Sequence, residues 1–265
     1  MKLLMMNSNH PFHMVTVSPW PFMMSMNIFN LLMSMVNWMY MNLYWLLIIS
    51  LMSNFLVMFQ WWRDVVREST FQGFHTYFIV KMMKSSMILF IISELFFFIS
   101  FFWTYIHSSV SPAVEIGMLW PPKNIDMINP YSIPLLNSFI LVSSGFSITW
   151  SHYSLLMNNK LDMIISLMIT IFLSIYFSLV QSIEYCNLPF SYNDSVFGSI
   201  FFMSTGFHGL HILIGTVFML ICLIRVLLNH FSYIHHFNFE AASWYWHFVD
   251  IIWLLLYFLI YWWCY

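Results

Sequence analysis

Seven stretches of this chain are long and apolar enough to cross a bilayer, and they leave little from which a water-soluble core could be built. They run roughly over 17–37, 43–60, 80–106, 132–156, 162–184, 196–225 and 238–262. A span of about 20 apolar residues crosses the hydrocarbon core as a helix. No water is present there to satisfy the backbone, so each span must bond its own N–H and C=O groups, which a helix does. Only 7% of residues are charged, against about 25% in soluble domains. The expected fold is an all-α membrane protein with seven transmembrane helices in a single membrane domain, 1–265. Within it, 17–60 supplies helices 1–2 and 80–262 supplies helices 3–7.

The breaks between spans are polar, charged or rich in proline. Asn37 to Asn42 is short and polar-aromatic, and Gln60 to Thr76 reads as a charged loop. Ser108 to Pro134 contains Pro112, Pro121, Pro122, Pro130 and Pro134, a density that no helix interior accepts. Asn158–Lys160, Asn187–Asp194 and Asn229–Asn238 separate the later spans. An odd number of spans puts the termini on opposite sides. Lys2, Arg63, Arg67, Lys81, Lys84, Lys160 and Arg225 then fall on the N-terminal side, and Lys123 alone falls on the other. The positive-inside rule therefore places the N-terminus on the matrix or cytoplasmic side. Trp61–Trp62 and Trp262–Trp263 fit interfacial aromatic belts.

A net charge of −2 without a basic stripe excludes nucleic acid as a partner. Cys186, Cys222 and Cys264 lie far apart and suggest neither a disulfide framework nor a zinc site. No signal-peptide pattern precedes the first apolar segment, which is expected to be retained. The heavy use of Met and Phe, 23 and 29 residues, fits an A/T-rich mitochondrial gene.

Few residues could carry chemistry. Glu94 lies near the middle of the third span, where a charged carboxylate costs about 2.5–3.5 kcal/mol on insertion scales. It is either a neutral acid bonded to a neighbouring helix or a polar group lining an internal cleft. His208 and His211 share a helix face and could bind a metal, but no Cys, Asp or Glu nearby in the motif completes a set. Cross-helix hydrogen bonding is the favoured role, with Gly206, Gly209 and Gly215 permitting close packing. His247 and Asp250 could bond along the seventh helix. Trp62, Arg63, Arg67 and Glu68, with His75, Lys81 and Lys84 following, lie where cations can hold anionic phosphate head groups or merely set topology. Arg225 and His230 sit at the same level. His235 and His236 could buffer protons on that surface.

Six blocks carry a resemblance: HPFHMVTVSPWP (10–21), WWRDVVREST (61–70), SELFFFISFFW (93–103), SPAVEIGMLWPP (111–122), GFHGLHILIG (206–215) and FEAASWYWHFVDIIWLLLY (239–257). In this order they resemble the signature blocks of the cytochrome c oxidase subunit III family, most closely its animal mitochondrial form. The stretch 23–58 matches weakly. The resemblance implies seven helices, the first two separated from the other five by a V-shaped, lipid-filled cleft. It implies a subunit that carries no haem, copper or other metal, those groups belonging to partner subunits. It further implies contact with subunit I and other oxidase subunits, support of matrix-side proton uptake, and a place in the mitochondrial inner membrane with the C-terminus in the intermembrane space. By position, Glu94 matches the family's buried carboxylate, and with Trp62 and Arg63 it is expected among the lipid-binding residues. Arg67, Glu68 and His75 match residues near one phospholipid head group, and Arg225 and His230 those near another. No catalytic residue is expected in this chain.

Two rivals differ in class. A redox-active subunit would need haem or copper ligand sets that the isolated His and Cys residues do not form. A standalone transporter or channel would show repeats and several polar groups in series at mid-depth. Neither is visible in the sequence.

Overall fold

The computed structural model describes residues 12–123 and 125–263. Lys2, His10 and Cys264 lie outside the described residues. The described residues form seven α-helices: α1 (Trp20–Met41), α2 (Tyr44–Thr70), α3 (Tyr77–Val110), α4 (Ile133–Leu156), α5 (Lys160–Cys186), α6 (Val196–Leu227) and α7 (Phe237–Leu256). The last continues into a π-helical turn, Tyr257–Trp262. Helices α2 to α7 are long and apolar enough to cross a membrane. At 22 residues, α1 spans about 33 Å at 1.5 Å per residue. Its Asn27, Asn30 and Asn37 make it less apolar than the rest.

The seven expected spans correspond one to one with these helices, but two ends differ. The expected charged loop after Gln60 is helical as far as Thr70. Arg63, Arg67 and Glu68 are fair helix formers, and a helix leaving the hydrocarbon has no reason to stop where charge begins. Helix α1 runs on to Met41 and stops at Asn42, whose left-handed φ of 54° returns its N–H to the Trp38 carbonyl.

Contacts divide the chain into two compact units, Met1–Met83 and Lys84–Tyr265. In the first, α1 and α2 pack together along a polar seam. Ser34 Oγ and Ser50 Oγ are 2.8 Å apart. Asn54 Nδ2 donates to the Asn27 carbonyl at 3.1 Å, and Asn27 Nδ2 donates to the Ser53 carbonyl at 3.3 Å. Lipid tails are as apolar as leucine, so bilayer helices gain from close fit and hydrogen bonds rather than from hydrophobic burial.

The second unit follows the same rule. Helix α4 packs against α5 and α7, and α6 packs against α5 and α7. Ser138, Ser144, Ser147, Ser151 and Ser154 are all buried on α4. Trp246 Nε1 donates to Ser144 Oγ at 2.9 Å, and Trp253 Nε1 to Ser138 Oγ at 3.0 Å. A Cβ on Gly215 would come within 2.9 Å of the Trp246 ring, so that glycine admits the indole. Gly206 and Gly209 face open space, so the expected close packing holds at Gly215 alone among the three. Helix α3 joins through large side chains, with Phe98, Phe102 and Tyr105 buried. Its outer face leaves Leu89, Phe96 and Trp103 about two-thirds exposed, a surface fit for lipid or another chain.

Candidate functional site

Glu94 finds its partner on α6. Its Oε2 lies 3.1 Å from His211 Nε2, with side-chain exposures of 27% and 10%. His211 Nδ1 lies 2.7 Å from the Phe207 carbonyl. A carbonyl only accepts, so Nδ1 carries its proton and donates. The contact between Nε2 and Glu94 then needs one further proton, on the carboxyl or on the ring. In both forms the pair is neutral overall, which removes the main cost of an acid at this depth. Phe98 packs on the imidazole edge-on at 5.2 Å, and Tyr245 stacks at 6.1 Å. Of the two readings of Glu94, the geometry gives the bond to a neighbouring helix.

His208 points elsewhere. Its Nε2 meets the Val249 carbonyl at 3.3 Å, and its ring lies against Trp253 and Phe177. The two histidines share a face but not a partner, and both bond across helices as expected. His247 Nδ1 lies 3.8 Å from Asp250 Oδ2, an ion contact beyond hydrogen-bond length.

Arg225 is 9% exposed at the end of α6. Its guanidinium lies over the Phe231 ring at 4.7 Å. Nε has no hydrogen-bond partner, and no described carboxylate pairs with the group. The His230 N–H donates to the Arg225 carbonyl at 2.9 Å, holding the two residues together. Burial, then the neighbouring Arg225 charge, hold the His230 imidazole below its ordinary value.

In the Met1–Met83 unit the end of α2 gathers the remaining candidates. Asp64 is the hub. Trp20 Nε1 donates to it at 2.7 Å, Arg63 donates through Nε at 3.2 Å and Nη2 at 3.1 Å, and Arg67 stands 3.8 Å away. Glu68 pairs with His13 at 3.3 Å, and the His13 ring lies 5.4 Å from Phe74 and 6.3 Å from His75. Trp62 is 56% exposed. Thus Arg63 and Arg67 meet at Asp64, while Glu68 and His75 meet at His13. Lys84 is engaged in an ion pair with Glu240 at 2.5 Å.

The model of the family described as cytochrome c oxidase subunit III matches residues 10–265. The chain belongs to the cytochrome c oxidase subunit III family. It is similar to cytochrome c oxidase subunit 3 of Aedes aegypti, 53% identical over 257 residues, covering 97% of this chain and 98% of that one. The Drosophila melanogaster protein of the same name is 52% identical over 257 residues with the same coverage. That of Phoca vitulina is 51% identical over 259 residues, covering 98% and 99%. Membership makes the chain a multi-span subunit of cytochrome c oxidase, an oxidoreductase complex of the respiratory chain in the inner mitochondrial membrane.

Several buried polar residues of this family member escaped sequence reasoning. Glu184 on α5 is 3% exposed, with Gln181 one turn away. Asn137 Nδ2 donates to Gln181 Oε1 at 3.2 Å. Glu184 borders a cleft of about 190 Å³ with Ile128, Ser132, Asn187 and Pro189. An acid near the end of a span reads from sequence as interfacial, and only the packing of α5 against its neighbours, with Tyr261 of the π-helical turn among them, buries it. His236, expected on the surface, is buried, because Ser232 accepts from one nitrogen and Glu240 faces the other. His13 and Trp20 lie in a segment quoted for the resemblance, but nothing in their spacing ties them to Glu68 and Asp64.

Proposed function

We propose that this chain is a redox-inactive core subunit of the oxidase. It holds anionic phospholipid head groups, stabilises subunit I and so sustains proton uptake from the matrix side. Haem and copper belong to partner subunits in this reading, the N-terminus faces the matrix, and the C-terminus faces the intermembrane space. The observation that carries the proposal is Arg225, a buried guanidinium with no described carboxylate partner and with His230 beside it. A buried cation requires a compensating anion, and at the edge of a bilayer the abundant anion is lipid phosphate. Trp62, Arg63, Arg67, Glu68 and His75 form a second, more exposed group of the same chemistry, in which Asp64 and Glu68 temper the positive charge. Glu94 supports the fold rather than touching phosphate, being committed to His211.

The test is Arg225→Gln in the assembled oxidase. Phospholipids retained after detergent purification are counted by mass spectrometry, and activity is followed over sustained turnover. Fewer retained lipids and faster loss of activity are expected. An unchanged count with unchanged decay overturns the proposal. A standalone transporter or channel remains the rival, and ion flux through liposomes holding this chain alone would favour it.

A further inference from the structure

At one end of the Lys84–Tyr265 unit, α4 brings His152 beside His236 and Glu240, a pair four residues apart at the start of α7. His152 comes from the last turns of α4, His236 immediately precedes α7, and Glu240 lies in its first turn. One ligand atom from each falls within 4.8 Å of the other two. We propose that these three residues form a binding site for a divalent cation of the zinc class, independent of the lipid-binding role.

His236 is oriented as a ligand would be. Its Nδ1 lies 3.0 Å from the Ser232 carbonyl. That nitrogen must donate, so in the neutral ring the lone pair rests on Nε2, which lies 3.4 Å from Glu240 Oε1. Metal-binding imidazoles commonly hold their second nitrogen in this way, on a carbonyl that sets both tautomer and ring direction. His152 supplies the second observation. Its Nε2 is buried and no protein group bonds to it. Its ring is held in place by the Phe239 face at 5.9 Å and the His236 ring at 5.8 Å. A buried ring nitrogen needs a partner, and a cation between it and His236 Nε2 provides one.

The donor set selects the ion. Two imidazoles and one carboxylate suit zinc and its neighbours, whereas calcium and magnesium prefer oxygen alone. Bonds of about 2.0–2.1 Å in a tetrahedral site set ligand atoms about 3.3 Å apart. The closing movement from the observed separations is therefore a side-chain adjustment. Three protein ligands leave the fourth position to water. Lys84 Nζ, 2.5 Å from Glu240 Oε2, neutralises the carboxylate in the metal-free chain. It leaves Oε1 for the cation and opposes binding through its own charge.

The test titrates the full-length chain in detergent with Co²⁺, whose visible bands intensify on tetrahedral coordination, followed by displacement with Zn²⁺. One tight ion per chain is expected. His152→Asn and His236→Asn should each weaken binding at least about 100-fold, more than loss of an outer partner does. Lys84→Met keeps all three ligands and should tighten binding. Helical content by circular dichroism identifies variants that fail to fold, and Lys84→Met then carries the test. Absence of a tetrahedral band in the unaltered chain overturns the proposal. So does a band indifferent to both His152→Asn and Lys84→Met, which would place the ion on other histidines such as His230 or His235.

Discussion

Replacing Glu94 shows how an acid is tolerated inside a bilayer. In the bonding derived above, His211 Nδ1–H is committed to the Phe207 carbonyl and Nε2 faces Glu94 with a single shared proton. Gln can keep this contact, since its amide N–H donates to Nε2 as a protonated carboxyl would. Leu cannot, and leaves Nε2 unpaired. Hydrogen bonds between helices in membranes average about 0.6 kcal/mol and reach about 1.7 kcal/mol. An orphaned buried group costs about 1–3 kcal/mol. With Glu94 27% exposed, the lower half of that range applies. Glu94→Gln should therefore cost less than about 1 kcal/mol and Glu94→Leu about 1–2 kcal/mol, by the same scales. The assay is reversible unfolding of the detergent-solubilised chain by SDS titration. Equal, large losses of about 3–5 kcal/mol for both variants would mean that an ionised carboxylate balances a charged imidazole. That result would refute placement of the shared proton on the carboxyl, which is the premise of the Gln prediction.

Three further outcomes follow from the packing. Gly215→Ala places a methyl within 2.9 Å of the fully buried Trp246 ring. It should cost about 1–3 kcal/mol as overpacking, read in the same SDS titration, and a neutral result would show that the indole can move. Ser144→Ala strands the Trp246 Nε1–H and should cost about 1–2 kcal/mol, with Trp246→Phe in the same background recovering part of the loss. His230 is held below its ordinary imidazole value by burial and Arg225. The unfolded chain therefore takes up this proton first as pH falls, so the residue's stability contribution is present above about pH 6.5 and declines through the acid range below it. Isotope-edited NMR titration should show His230 moving upward in Arg225→Gln, and upward again in the unaltered chain when anionic phospholipid is added. No movement in the variant would detach the two residues.

The helices were legible because apolar length and proline-rich breaks are strong local signals, and each span maps to one helix. The end of α2 departs from the expected charged loop because charge does not end a helix: Arg63, Asp64 and Arg67 lie on continuing turns, and both arginines face Asp64. Glu94 was visible as an anomaly, but its partner was not, since His211 lies 117 residues away and only the approach of α3 to α6 joins them. Gly206 and Gly209 looked like packing glycines because small residues are a statistical mark of helix contacts, and the mark does not say which face is occupied. His152 stood in no motif at all. It acquires chemical meaning only because α7 begins beside it.

The serines of α4 have a consequence for how the chain is made. Ser144 and Ser138 accept from indoles 102 and 115 residues further along. While the ribosome is still extending the chain, α4 must wait in the membrane with hydroxyls that its immediate neighbours only partly engage. Its partner α7 emerges only after α5 and α6. A chain terminated before α7, or an α7 inserted out of register, leaves Ser138 and Ser144 without their indole donors. The finished packing of α4 thereby depends on the arrival of α7.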